Sequence, residues 1–133
     1  MKLIKIVNAY MAMCVLAKEK LKFKDALNLT IAKNKFKESY DFFAKAERDI
    51  VSEVAKKDDH GKPIRYPDGH FDFTDDSAKD VYIRRMEELS SVDVDDMSYT
   101  AIAIDPPDKI TAELLEVLDG FVIFKEESDE GTS

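Results

Sequence analysis

Apolar residues recur at helical spacing through the first part of the chain. Leu3, Val7, Tyr10, Cys14, Ala17 and Leu21 step by three or four residues and form one stripe. The pattern predicts a first helix over about residues 5–21. Met11, Met13, Val15 and Leu16 widen the stripe, so this helix is expected to bury more than one side. A second series, Leu29, Ala32, Phe36, Tyr40, Phe43, Ala46, Ile50 and Val54, keeps the same period. It predicts a long helix from about Asp25 to about Asp59. Asp25 is a suitable N-cap, Lys56 and Lys57 suit the C-terminal dipole, and Gly61 is a natural stop. At about 1.5 Å per residue such a helix spans roughly 50 Å. A compact globule of this chain length is roughly 36 Å across. The second helix is therefore expected to protrude, bend or pack against another chain. The stripe Phe36, Tyr40, Phe43, Ile50 and Val54 is its candidate interaction surface.

The period then changes to two. Ile64 and Tyr66, then Phe71 and Phe73, alternate with polar residues around Pro67-Asp68-Gly69. Proline presets the first turn position and glycine supplies positive φ, so residues 64–73 read as a β-hairpin. Thr74 is the expected N-cap of a third helix, with Phe73 and Ala78 as a hydrophobic staple. That helix carries Ala78, Val81, Tyr82, Met86 and Leu89 on one face and ends near Ser91. Val92–Val94 and Thr100–Ile104 read as extended, and Pro106 and Pro107 block a helix after them. Thr111 is expected to cap a short helix over Ala112–Leu118 that stops at Asp119-Gly120. Phe121–Phe124 reads as a final strand or docking segment. Residues 126–133 are polar and acidic and are expected to be disordered. The expected fold class is α+β and helix-dominated, a single domain over residues 1–125.

Composition supports that outline. With 133 residues, 44% of them hydrophobic, the chain can build one core. No apolar run reaches the roughly 18–20 residues of a membrane span, and the first residues lack a signal-cleavage pattern, so no membrane contact is expected. A single cysteine gives no internal disulfide and no zinc-type cluster. Cys14 falls in the apolar stripe, where cysteine acts as a small hydrophobe. Four glycines leave little room for phosphate-binding loops.

Charge is divided unevenly. Residues 1–57 carry 13 Lys/Arg and 7 Asp/Glu, whereas residues 58–133 carry 7 and 21. Either the two parts pack together and neutralise each other, or the acidic part is a surface for a basic partner. An acidic chain is not expected to bind nucleic acid directly, because phosphate contacts need clustered Lys/Arg. Lys18, Lys20, Lys22 and Lys24, and Lys33, Lys35 and Lys37, alternate every second residue. On helices that spacing spreads them around the cylinder as solvated faces.

The most chemical-looking cluster surrounds the hairpin: Asp58, Asp59, His60, Asp68, His70, Asp72, Asp75 and Asp76. His70 and Asp72 are two apart on a strand, a spacing that can ligate a metal. Each residue also has a turn or helix-start role, and the offsets are not those of an EF-hand. Asp93, Asp95 and Asp96 read as the charged face of an edge strand. The nucleotide, nucleophile-elbow and zinc-protease motifs are absent from the sequence. No catalytic, cofactor-binding or metal residue is assigned.

Six segments stand out together: Val7-Asn-Ala-Tyr10, LNLTIAKN at residues 27–34, FFAKAERDIVSEVAKKDDHGKPI at residues 42–64, FDFTDD at 71–76, MEELSSVDVD at 86–95 and ITAELLEVL at 110–118. In these the sequence resembles small proteins of tailed phages and prophages of Gram-positive bacteria. The resemblance implies a phage origin and a place in the host cytoplasm or the virion, and it assigns no functional residue. The Pro-Asp-Gly turn and the acidic tail depart from it. The expected function is non-enzymatic: a virion, assembly or accessory protein with no cofactor. It would contact a protein partner, or a second copy, through the long second helix. The alternative is an acidic inhibitor of a host nucleic-acid-binding or defence protein.

Overall fold

In the computed structural model, which describes residues 1–94 and 99–125, the fold is α+β and helix-dominated. The chain runs α1 (Leu3–Leu16), α2 (Phe23–Val54), α3 (Asp76–Ser90), β1 (Ile102–Ile104), α4 (Ala112–Leu118) and β2 (Val122–Phe124). The expectations for residues 126–133, and for Asp95 and Asp96, lie outside the described residues.

α1 stops five residues earlier than its stripe predicts. Lys18-Glu19-Lys20 have no apolar surface to bury, and the backbone tightens there, with the Lys18 N–H donating to Val15 and the Glu19 N–H to Leu16. Leu21 still reaches the core, held by the connection instead of by helix. Lys18, Lys20 and Lys22 therefore sit on the link before α2 and not on a helix face.

α2 has 32 residues, about 48 Å of helix. Two apolar clusters cover it in turn, which resolves the mismatch between its length and the width of a globule. Near its start, Leu29, Ala32 and Phe36 pack with Ile6, Met13 and Leu16 of α1 and with Ile104, Leu118 and Phe121. Further along, Ile50 joins Leu3, Val7 and Leu89, flanked by half-buried Tyr40, Phe43, Tyr82 and Met86. Tyr10 of α1 stacks on Tyr40 with ring centroids 4.6 Å apart. Asp25 is not the N-cap. It lies in the first turn, buried, and its carboxylate accepts the Asp105 N–H at 3.1 Å, which fastens the end of β1 to α2.

α2 ends at Val54, before Lys56 and Lys57, because the next residues are taken up by backbone pairing. The Lys56 N–H donates to the Asp72 carbonyl and the Lys56 carbonyl accepts from the Ile64 N–H, both at 2.9 Å. The hairpin expectation is corrected here. The Pro67-Asp68-Gly69 turn forms, closed by Gly69 N–H to Tyr66 at 2.8 Å and Tyr66 N–H to His70 at 2.9 Å. Gly69 takes φ +91°, the left-handed value the turn requires. Beyond the turn the two arms do not form a ladder with each other. They flank residues 55–57 instead, with bridges Lys57 to Pro63 and Ala55 to Phe73.

The cap of α3 is Asp75, one residue past Thr74. Its carboxylate accepts the Ala78 N–H at 2.7 Å. Val92–Val94 is extended and runs beside the N-terminus, where Asp93 bridges Lys2. Thr111 caps α4 as expected, accepting the Leu114 N–H at 3.1 Å. β1 and β2 pair in parallel, Ile102 opposite Val122 and Ile104 opposite Phe124, with α4 as the crossover.

Candidate functional site

The expected interaction stripe is spent inside the chain. Phe36, Ile50 and Val54 are buried, and Tyr40 and Phe43 are half-buried against the second cluster. Phe36 also meets Phe121 edge-on at 5.6 Å and Tyr99 at 4.8 Å. Phe36, Ile50 and Val54 are therefore core, and Tyr40 and Phe43 pack against it with part of their surface exposed. α1 and α3, each about half the length of α2, together with the segment around Phe121, are enough to cover them.

The acidic turn does not converge on a ligand site. His70 pairs with Asp68 and stacks on Tyr66 at 4.3 Å, and the Tyr66 hydroxyl donates to Asp72 at 2.9 Å. The His70 N–H, with its imidazole beside it, holds the Asp68 carboxyl below the usual carboxylate range. The hydrogen bond to Asp72 pushes the Tyr66 phenol up. Asp58 serves its own turn, accepting the N–H groups of His60 and Lys62. Among the described residues no group of three His, Cys, Asp or Glu could hold a metal ion. No helix among them is long and apolar enough to cross a membrane. Cys14 is half-buried, and burial, with Cys14 adding to it, pushes the Tyr10 phenol up.

Four ion pairs join the basic and acidic parts of the chain: Lys2 to Asp93, Lys22 to Asp105, Arg65 to Glu47 and Arg85 to Glu53. Two of them, Lys2 to Asp93 and Lys22 to Asp105, set surplus base of the first part against surplus acid of the second, and the other two join the minority charges of each part. The hydrogen bond from Lys22 holds the Asp105 carboxyl below its usual range, and the same bond pushes Lys22 up. Lys18, Lys20 and Lys24 are exposed and take part in no ion pair among the described residues.

The feature that sequence reading missed lies on the outer face of α2. Phe23, Leu27, Ile31, Asn34, Glu38, Asp41 and Lys45 step by three or four residues, and all are exposed. From Asn34 onward this line is polar, as a solvated helix face should be. Its first three positions are large and apolar, with exposures of 84%, 48% and 51%. The signal was present as an i, i+4, i+8 series. It was hidden because the opposite stripe already accounted for the helix.

Among the described residues two clefts have volumes of about 450 Å³. One lies between α1 and α4, with Met11 and Val15 on its wall facing Leu114 and Val117. The other lies beside exposed Phe42 and is lined by Leu3, Val92 and Val94. Both are open and mainly apolar. No protein-family model, curated protein or solved structure matches the chain.

Proposed function

We propose that the chain works through protein–protein contacts, as an assembly or accessory factor, with the start of the outer face of α2 as the contact surface. The observation that carries this reading is the exposed series Phe23, Leu27 and Ile31 on a helix whose opposite face already fills the core. Exposed apolar groups cost free energy in water at roughly 25 cal/mol per Å², and contiguous ones mark interaction sites more often than isolated ones do. The helix under them is anchored through its buried opposite face, so a partner would meet a preformed face and lose little entropy in ordering it. The phage setting comes from the sequence resemblance, which supplies the cells in which to look.

Affinity capture from cells that naturally carry the protein, with quantitative mass spectrometry, tests the reading. The full chain is compared with Leu27→Glu. At least one protein should be held by the natural chain and lost about tenfold or more with the variant. Identical captured sets would contradict the proposal.

A further inference from the structure

We infer that the Phe23–Leu27–Ile31 face receives an acidic amphipathic helix from another protein. The inference rests on the contact reading above and gives the partner its chemistry.

The apolar part fixes the shape of the partner. Three side chains at i, i+4 and i+8 rise over about 12 Å, a little more than two helical turns. That is the reach of an amphipathic helix laying its own i, i+3/i+4, i+7 anchors along a matching ridge. The face is convex, so it suits a helix packing side by side and not a small molecule, which needs a concave site.

Charge fixes the sign. Lys18 and Lys20 precede Phe23 within five residues, and Lys24 lies beside it in the first turn. All three are exposed and unpaired among the described residues. Exposed Glu19 lies between Lys18 and Lys20, and Asp25 sits in the first turn, which leaves the lysines in excess at this end of α2. Glu or Asp on the partner would answer this charge and set its direction along the face.

Other occupants fit less well. A second copy in parallel register would oppose lysine to lysine, and one in antiparallel register is the outcome that light scattering detects below. Residues 126–133, EESDEGTS, are acidic but contain no apolar side chain to cover Phe23, Leu27 and Ile31.

The test uses the full chain and two synthetic helical peptides of about 18 residues, long enough to hold a helix. Both carry Leu at helical spacing. One has Glu and Ala at the remaining positions and the other has Lys and Ala, so that like charges do not unwind the helix. Binding is followed by calorimetry and by NMR shifts. The Glu peptide should bind, with shifts centred on residues 20–31, and should weaken about tenfold between about 50 and about 300 mM salt. Leu27→Glu should weaken it at least tenfold with an unchanged melting temperature. The pair Lys20→Glu and Lys24→Glu should transfer preference to the Lys peptide.

No binding of the Glu peptide at about 1 mM (weaker than about −4 kcal/mol), equal binding of both peptides, or indifference to Leu27→Glu would overturn the inference. So would tighter binding to phosphatidylserine-containing vesicles than to the peptide. An oligomer seen by light scattering and lost in Leu27→Glu would make a second copy the occupant and overturn it likewise. If the peptide fails while cellular capture still depends on Leu27, the contact reading stands and only the partner's chemistry falls.

Discussion

Phe23 and Phe36 stand on opposite faces of one helix: Phe36 is fully buried, in edge contact with Phe121, while Phe23 is 84% exposed. The two aromatic rings divide the roles of α2. The inner face builds the fold, and the start of the outer face is the contact surface proposed above.

The division predicts opposite responses to substitution. Phe36→Ala should lower stability by about 3–5 kcal/mol, since it opens a cavity among Ala32, Ile104 and Phe121. Phe23→Ser should change it by less than about 0.5 kcal/mol. Urea unfolding followed by circular dichroism separates the two. Equal losses would show that Phe23 is also core.

Phe43→Glu tests the corrected stripe. Phe43 packs beside Leu3, Val7, Ile50 and Leu89, so a carboxylate there is partly desolvated. The variant should lose about 1–3 kcal/mol with no change in association state. Light scattering and thermal melting together decide it. Natural stability combined with a changed oligomer would return this residue to an interface.

Much of the fold was legible from periodicity. The inner stripe of α2, the turn at Pro67–Gly69, the Thr111 cap and the bounds of α4 all depend on neighbours close in sequence. The departures arise where distant segments compete. Helix propensity carries α2 past Val54, but Asp72 and Ile64 capture the backbone of Lys56 and end the helix sooner. The same capture keeps the hairpin arms from pairing with each other. Asp25 reads as a cap by position, yet it serves a residue 80 positions away. The stripe's accessibility was illegible for a related reason: periodicity shows that a face is apolar, not which element covers it. Phe23, Leu27 and Ile31 fell outside the candidate surface because one apolar face was already enough to explain the helix.

Asp25→Ala should loosen the junction between α2 and β1. The Asp105 N–H would lose its acceptor, at about 1–3 kcal/mol. Asp25→Asn keeps an acceptor oxygen and should lose less. Hydrogen exchange at the Asp105 amide should quicken in the alanine variant. An unchanged rate would show that the bond does not hold the strand.

The Lys22–Asp105 pair gives stability a dependence at both ends of the pH range. The Asp105 pKa is depressed in the fold, so its contribution is present above the usual value of 3.8 and is lost as pH falls through the depressed one. The Lys22 pKa is raised, so its contribution is present below 10.5 and is lost as pH rises through the raised value. Lys22→Met should flatten both limbs slightly and leave the neutral plateau nearly level, because exposed pairs contribute little. Melting temperature measured against pH for the two proteins checks this. Parallel curves would show that the pair does not form.

The central claim, that the outer start of α2 is a protein contact, is tested most directly by site-specific photo-crosslinking. A benzophenone side chain placed at Leu27, and in a parallel protein at exposed Ser77 on α3, is irradiated in cells that naturally carry the chain. The account predicts a discrete crosslinked partner from position 27 and none from position 77. The same adducts from both positions, or none from position 27, would contradict it.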